Sequence, residues 1–355
     1  MIIEKSRIPV RDIVIFGFLP GFLKKTAYRL KGYKIGRHVR LSFGAVICGK
    51  HVVVGENTSI GFFSILRGNV IHIGSHVNIG SVTFIDTPNV EIGSGTRINE
   101  QVFIGGLQDP DSSIHIGKNC QIMQMSFINP AKSITIGDDS GIGGHSLIFG
   151  HASWLSRFEG YPVEFKPIVI GKSVSISWRV FVMPGVNIGD GTVISADSLV
   201  NRDIPGKCLA AGYPARVISK YPDFPKEVNS DGRVGILKNI ESEMISYFQK
   251  AGLKVEKINK NYKIDYPDRS WFISREKTAF LHMEYEPLDS ASAKELNADV
   301  LVSLNPIPED ILQMLADRKI MWIDIATKRQ SKFENDLGSE VALYLRRYGV
   351  RLTRV

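Results

Sequence analysis

The sequence predicts a mainly β protein in which a long parallel solenoid is followed by a small α/β domain. Three observations favour this fold class. An aliphatic residue followed by glycine recurs every 19 residues, a stricter six-residue repeat of aliphatic residues comes later, and beyond Tyr221 strand-like and helix-like segments alternate. Such repeats are typical of solenoids, in which one unit buries its apolar side only against its neighbours.

The repeats indicate which side chains point into the solenoid. The 19-residue repeat is carried by Ile35-Gly36, Val54-Gly55, Ile73-Gly74 and Ile92-Gly93. The six-residue repeat is carried by Ile136, Ile142, Ile148, Ile170, Ile176, Val182, Ile188, Ile194 and Val200. Each repeat is expected to form a short strand and a turn, with its aliphatic side chain stacked on the equivalent one coil away. The small residues Ser146, Ala152 and Ser198 are expected to face the same narrow interior.

Composition limits the classes of function. With 355 residues, 43% hydrophobic and 23% charged, the chain has an ordinary globular composition, which excludes a disordered protein. The net charge of +8 favours anionic partners, but the sequence contains no recognition helix, so nucleic-acid binding is not expected. Three widely spaced cysteines match no disulfide framework or zinc site, which favours a cytoplasmic protein.

Residues 1–34 precede the repeats and are expected to form a helical cap. The segment from Ile13 to Leu30 is apolar but carries Lys24, Lys25 and Arg29. A cap over the open end of the solenoid is the favoured interpretation. Peripheral contact of residues 13–34 with the inner face of a membrane is the alternative, because a basic amphipathic segment can lie on a bilayer.

Two loops and a second domain interrupt or follow the repeats. Residues 109–113 are expected to form a turn, and residues 152–169 a larger, aromatic insertion; long loops in compact domains are usually functional. After a linker at 221–225, residues 226–355 are expected to form the α/β accessory domain. Its expected strands are 234–237, 254–258, 271–274, 279–283, 300–304 and 320–325, and its expected helices lie near 239–251, 307–318 and 334–348. We find no catalytic motif in this domain.

The hexads resemble those of the hexapeptide-repeat acyltransferases. The resemblance covers residues 31 to 218 and implies a left-handed parallel β-helix over residues 35–220. Handedness is a consequence of the resemblance alone, since parallel crossovers in general are right-handed. The resemblance also implies a homotrimer with its active sites between neighbouring subunits.

The stretch from Ile136 to His151 resembles the catalytic coil of sugar O- and N-acetyltransferases, in which a histidine follows the last hexad before a loop. By position, His151 is the expected catalytic residue. An imidazole with a pKa near 6.5 can take the proton of a sugar hydroxyl while the oxygen attacks a thioester. The His151 side chain is expected to face outward, beside Ala152. Because Ala152 replaces the family's acidic residue, the partner that orients His151 is left open.

The same resemblance implies a binding groove for acetyl-CoA. The coil from Val174 to Trp178 is the expected source of the N–H group that meets the oxyanion. Residues Ala211 to Arg216 resemble the family's Gly-x-Pro-Ala-Arg/Lys turn. The expected cofactor-binding residues are Ser177, Trp178, Arg179, Gly212, Pro214 and Arg216. The expected contacts to the sugar acceptor are Trp154, Tyr161 and His145.

These features lead to one main hypothesis of function and one alternative. The main hypothesis is an acetyl-CoA-dependent O-acetyltransferase that acts directly on a sugar hydroxyl of a bacterial surface polysaccharide or its precursor. The alternative is a non-catalytic trimeric scaffold that displays a C-terminal glycan- or protein-binding domain. Gamma-class carbonic anhydrases share the fold, but their zinc site needs a histidine pair five residues apart, whereas His145 and His151 are six apart. No metal site is therefore expected.

Overall fold

The computed structural model describes residues 8–153, 155–267 and 276–355. The chain divides into two compact units, Met1–Lys226 and Glu227–Val355. The first unit contains the repeats, and the second has an α/β fold.

The first unit is a coil of triangular section whose three faces are parallel strand ladders. Nearly all of these strands have two to four residues and cannot persist alone, so each one gains its backbone partners from the coils before and after it. The first ladder comprises Lys34–Ile35, His51–Val54, Val70–Ile73, Asn89–Ile92, Ser113–Ile116, Ile134–Ile136, Ile168–Ile170 and Asn187–Ile188. The second comprises Arg40–Leu41, Ser59–Ile60, Asn78–Ile79, Arg97–Ile98, Gln121–Ile122, Gly141–Ile142, Ser175–Ile176, Val193–Ile194, Cys208–Gly212 and the antiparallel Ala215–Lys220. The third comprises Val46–Cys48, Ile65–Arg67, Phe84–Asp86, Phe103–Ile104, Phe127–Asn129, Leu147–Phe149, Phe181–Val182 and Leu199–Val200.

The repeat residues form the core, as predicted. In the third ladder Ile148 pairs with Ile128 on one side and Val182 on the other, and all three are fully buried. Ser146 and Ser198 are buried as expected, and the Ser146 hydroxyl donates to the carbonyl oxygen of Ser177 at 3.2 Å. The predicted fold class, a mainly β protein with a parallel β-helix followed by a small α/β unit, is confirmed. The left-handedness of the helix stays a prediction from the resemblance.

The prediction for Ala152 is wrong. The chain leaves the coil at His151 and forms a two-stranded antiparallel hairpin, His151–Ser153 with Val163–Phe165, that encloses a short 3₁₀ turn at Arg157–Glu159. Ala152 pairs with Glu164 in this hairpin and is half-buried rather than inward-facing. The coil resumes at Ile168, so the insertion is shorter than residues 152–169. A hexad count cannot register where the chain leaves the coil, because the hairpin strand continues the extended backbone.

A helical segment lies over the first coil. It consists of Val10–Asp12, a π-helical turn at Ile13–Gly17, and Gly21–Leu30, which we call the cap helix. The Lys24 ammonium is buried and donates to the carbonyl oxygens of Ser42 and Ala45, both at 2.9 Å. Within the described residues, no helix has the length and apolar character needed to cross a bilayer.

The second unit is a seven-stranded mixed sheet with helices on both faces. Its strands lie in chain order: Lys254–Ile258, Asn261–Pro267, Glu276–Glu284, Val300–Ser303, Met321–Asp324, Arg329–Gln330 and Thr353–Arg354. Its helices are Ser230–Lys250, Ser290–Glu295, Glu309–Asp317 and Asp336–Leu345, with a 3₁₀ turn at Arg346–Tyr348. The third, fourth and fifth strands are parallel, and the first three form an antiparallel meander.

Two predictions for this unit need correction. The strand expected at 234–237 lies inside the helix Ser230–Lys250, which begins well before the expected 239. The apolar run at 234–237 is typical of a strand. In the helix, however, the buried residues recur at helical spacing, at Leu237, Ile240, Met244 and Phe248. The strand Asn261–Pro267 was not predicted. The strand expected at 271–274 lies outside the described residues.

Replacing Ile148 with Ala should lower the free energy of unfolding of the β-helix by about 2–5 kcal/mol, because the fully buried side chain leaves a cavity in a narrow interior. The matched control is Leu147→Ala, since the adjacent Leu147 is on the outer surface and 36% exposed. Urea unfolding followed by circular dichroism measures both. Equal losses in the two variants would contradict the inward stacking of the hexads.

Candidate active site

His151 lies at the point where the third ladder gives way to the hairpin. The preceding residue, Gly150, donates its N–H to the carbonyl oxygen of Asn129 at 2.9 Å, which keeps the coil in register up to the last residue before His151. His151 then pairs with Phe165 across the base of the hairpin. The imidazole is therefore fixed at a corner of the coil and not on a free loop.

The imidazole lies between two aromatic rings. Its centroid is 6.0 Å from that of Phe149, with ring planes 8° apart, and 6.0 Å from that of Phe165, with ring planes 20° apart. The ring is half-buried, and Nδ1 is closed off from solvent with no hydrogen-bond partner among the described residues. Nε2 is therefore the nitrogen that can meet a substrate hydroxyl.

The two phenylalanine rings explain the electrostatics of His151. Burial lowers the pKa of the imidazole below its ordinary value of 6.5, because the charged form loses solvation. The lowered pKa favours the neutral imidazole, which is the form that can accept a proton. The ring faces of Phe149 and Phe165 are also within the range in which an aromatic ring stabilises a nearby cation. They would offset part of the solvation that the imidazolium loses, although the lowered pKa shows that burial dominates.

His145 lies at the opposite end of the same coil face. Its side chain is exposed, and its ring centroid lies 6.0 Å from that of Trp178. Gly144 permits this arrangement, because a Cβ on it would come within 2.6 Å of the Trp178 ring. His145 and Trp178 therefore form one corner, and His151 belongs to the next.

The structure does not bring all the expected site residues together within one chain. His145 and His151 are separated by the extended strand Leu147–Phe149, which at 3.3 Å per residue means roughly 15–20 Å. The expected cofactor residues Ser177, Trp178 and Arg179 belong to the His145 corner. A general base and an oxyanion donor must both reach the same reacting carbonyl, within about 3 Å.

Within the expected oxyanion region, hydrogen bonding leaves one clear donor. The N–H groups of Val174, Ser175 and Ser177 donate to Ser140 Oγ, Thr192 O and Ile194 O respectively. The Trp178 N–H lies in the turn and has no acceptor among the residues that the structure describes. It is therefore the amide of this turn that can bind a developing negative charge.

Arg179 and the closing hairpin carry the remaining expected cofactor residues. The exposed Arg179 is paired with Asp197 at 2.7 Å, so its charge is already partly balanced. Gly212 has a φ of +109° in the turn between Cys208–Gly212 and Ala215–Lys220, and Pro214 lies in the same turn. Arg216 is exposed, and its guanidinium donates only to its own neighbour, the Ala215 carbonyl oxygen, among the contacts described, at 3.1 Å.

The expected acceptor residues are only partly described. Tyr161 is 44% exposed and lies beyond the paired part of the hairpin, four residues before Phe165. Trp154 lies outside the described residues. Phe149 and Phe165 are part of the site, although the sequence did not indicate a role for them there. The sequence shows one phenylalanine two residues before His151 and another fourteen residues after it. This spacing does not indicate that the two rings stack on the imidazole.

Asn129 is a further residue that the sequence did not single out. It lies one coil before Phe149 in the third ladder, is 4% exposed, and its Oδ1 has no hydrogen-bond partner within the described residues. Buried polar atoms normally have a hydrogen-bond partner, so Asn129 Oδ1 is an exception beside Gly150 and the candidate site. In the part of the chain that the structure describes, no three His, Cys, Asp or Glu side chains are grouped so as to hold a metal ion.

Comparison with known proteins supports the resemblance seen in the hexads. Over 117 residues the chain is 38% identical to the galactoside O-acetyltransferase of Escherichia coli (strain K12), which covers 32% of this chain and 58% of that protein. Over 119 residues it is 34% identical to a candidate lipopolysaccharide biosynthesis O-acetyl transferase of the same strain, which covers 30% of this chain and 61% of that protein. The chain is similar to sugar O-acetyltransferases. It spans less than two thirds of the length of either relative, and no family model matches it.

Two solved structures are also similar. One is the acetyl coenzyme A complex of a hexapeptide-repeat acetyltransferase from Vibrio cholerae, with 21% identity, a TM-score of 0.27, and coverage of 59% of this chain and 84% of that one. The other is a UDP-N-acetylglucosamine acyltransferase from Campylobacter jejuni, with 15% identity, a TM-score of 0.36, and coverage of 59% and 87%. These TM-scores are too low to support an argument about this chain. The evidence for its coil architecture is its own strand ladders.

Replacing Phe165 with Leu should raise the pKa of His151 toward 6.5, because a smaller side chain readmits water to the imidazole. The matched control is Phe158→Leu in the same hairpin, where the phenylalanine is fully exposed. Nuclear magnetic resonance titration of the histidine rings measures the pKa directly. An unchanged His151 pKa in Phe165→Leu, or an equal rise in Phe158→Leu, would contradict the stacked arrangement.

Proposed function

We propose that this protein is an acetyl-CoA-dependent O-acetyltransferase that acts on a sugar hydroxyl. The observation that carries the proposal is the position of the His151 imidazole, which stacks on two phenylalanine rings at the corner where the β-helix gives way to a hairpin. The similarity to sugar O-acetyltransferases supports the reaction class.

In the proposed reaction His151 is the general base. Nε2 takes the proton of the acceptor hydroxyl while its oxygen forms a bond to the thioester carbonyl carbon. The carbon–sulfur bond then breaks, and the leaving thiolate takes the proton from the imidazolium. Acetyl ester and free coenzyme A thiol are the products. The faces of Phe149 and Phe165 would offset part of the solvation that the transient imidazolium loses through burial.

The oxyanion of the tetrahedral intermediate would be bound by the Trp178 N–H. Because Trp178 and His151 lie at different corners of one chain, the Trp178 amide must come from a second copy. Packing of triangular coils side by side brings unlike corners together, and closed cyclic symmetry gives every corner a partner. We therefore propose a homotrimer with each active site shared by two subunits.

Coenzyme A would lie along the cleft between these copies. Arg216, exposed and without a carboxylate partner among the described residues, is the proposed contact for its phosphates, because charge-assisted hydrogen bonds to phosphate are strong. Gly212 and Pro214 shape the turn just before Arg216. Ser177 and Arg179 flank Trp178, whose N–H is the proposed oxyanion donor. Arg179 contributes less charge, since Asp197 already balances it.

The acceptor that we propose is a bacterial surface polysaccharide or its precursor. Tyr161 and Trp154, with His145 from the neighbouring copy, would contact the sugar. The protein would be cytoplasmic and would meet its acceptor at the inner face of the membrane, through residues 13–34.

The alternative, a non-catalytic scaffold that displays the second unit, is favoured by one feature of that unit. A groove of about 490 Å³ is lined by Tyr262, Tyr285 and Glu241, and the Tyr262 hydroxyl donates to Glu241 Oε1 at 2.7 Å. Aromatic rings beside a carboxylate suit a glycan. Calorimetry with coenzyme A distinguishes the two functions, because a scaffold would give no heat of binding.

His151→Ala should lower kcat by about 10²–10⁴-fold, the usual contribution of a general base. Release of free thiol from acetyl-CoA, in the presence of candidate glycans, measures the rate. The control is His72→Ala, which removes an exposed histidine from the first ladder. Wild-type activity in His151→Ala would eliminate the mechanism.

Coexpression of two inactive variants tests the shared site. Trp178→Pro removes the oxyanion N–H, and His151→Ala removes the base, so each alone should be nearly inactive. When the two variants assemble at random in equal amounts, about a quarter of all sites would combine an intact His151 with an intact Trp178 amide from the adjacent subunit. Thiol release should therefore return to roughly that fraction of the wild-type rate. No recovery in mixed oligomers would contradict a site shared between copies.

A further inference from the structure

The cap helix is built with its polar side inward. Lys24 and Tyr28, one helical turn apart, are its most buried side chains. Lys24 donates to two carbonyl oxygens of the first coil, and the Tyr28 hydroxyl oxygen accepts the N–H of Ile47 at 2.8 Å. These contacts satisfy backbone groups that have no preceding coil to pair with.

The opposite side of the helix is consequently apolar and exposed. At 100° per residue, Phe22, Thr26 and Leu30 lie on the side away from Lys24 and Tyr28, and Phe22 and Leu30 are 67% and 85% exposed. The exposed large apolar side chains among the described residues of this segment are Ile8, Val10, Val14, Ile15, Phe18, Phe22, Leu23 and Leu30. Single exposed apolar residues are ordinary, but eight in one short segment mark an interaction surface. We call this surface the docking face.

The segment that carries the docking face belongs to the part of the sequence that holds the chain's excess of positive charge. Residues 1–40 contain ten Lys or Arg and two acidic residues, so their net charge equals the +8 of the whole protein. Basic residues elsewhere are numerous, but acidic ones balance them. Lys25, Arg29 and Lys34 lie within or just after the cap helix, and the one acidic residue described here, Asp12, is already paired with Lys31 at 3.2 Å.

We propose that the docking face binds an anionic lipid bilayer, with Phe18, Phe22 and Leu30 inserted among the acyl chains and the lysine and arginine side chains at the headgroups. Apolar insertion combined with a cationic rim is the physical signature of an interfacial helix. The ten-residue cap helix is about 15 Å long, so it would lie in the surface and not span it. A second copy is the poorer occupant, because two segments that both carry an excess of positive charge repel each other.

This inference deepens the membrane contact proposed above and does not depend on acetyl transfer. It gives the solenoid an orientation, with its first coil at the bilayer. A lipid-carried acceptor would then be concentrated on the same surface as the enzyme.

Flotation of the full-length protein with vesicles tests the proposal. We expect the protein to float with vesicles of phosphatidylcholine and phosphatidylglycerol, and to bind pure phosphatidylcholine vesicles far less. The double variant Phe18→Ser/Phe22→Ser should lose roughly tenfold or more in partition coefficient, since two large apolar side chains no longer insert. Phe158→Ser, which removes a fully exposed phenylalanine from the hairpin, is the matched control and should float as wild type.

Three results would overturn the proposal. The first is wild-type protein that does not float with anionic vesicles, and the second is a double variant that floats as well as wild type. The third is a change of oligomeric state of the double variant without lipid, measured by sedimentation, which would identify the face as a contact between copies. Thiol release with a soluble acceptor should be unchanged in the double variant. If no acetyl transfer is found in any variant, the flotation result still stands, so the two proposals fail separately.

Discussion

Stacking of aliphatic side chains in a narrow triangular interior is the constraint on which the rest of this structure depends. Each strand of the β-helix is too short to be stable alone, and its hydrogen bonds exist only if the coils above and below are in register. That register is set by inward residues such as Ile148, which contacts its equivalents in both neighbouring coils. Positions at the corners carry no such restriction, so loops and reactive side chains can occur there.

This division explains why the candidate site lies at a corner. Gly150 still follows the register of the coil, and the next residue, His151, is already part of the hairpin. The rigid coil fixes the backbone of His151, and the hairpin supplies Phe165 on one side of its ring. One element therefore determines where the imidazole lies, and the other determines how far water reaches it.

The sequence predicted what depends on periodicity and missed what depends on contacts between distant residues. Hexads identify buried positions directly, so the β-helix and its core could be predicted from aliphatic spacing. The stacking of Phe149 and Phe165 on His151 could not, because it requires the hairpin to fold back on the coil. The prediction that Ala152 faces inward failed for the same reason, because the hexad spacing does not show that the chain has entered the hairpin at that residue. The apolar run 234–237 failed differently, since four residues cannot distinguish a strand from one turn of a buried helix.

The end of a β-helix imposes a requirement that its middle does not. The backbone of every inner coil forms hydrogen bonds with two neighbouring coils, whereas the first coil has only one neighbouring coil. The segment that covers the first coil must therefore supply polar atoms as hydrogen-bond partners. Lys24 and Tyr28 supply these polar atoms. Because polar side chains occupy the inner side of the cap helix, its apolar side chains lie on the outer side. An ordinary cap would still carry polar residues on that outer side. Phe22, Leu23 and Leu30 are not required by capping, and their exposure therefore points to a partner outside the fold.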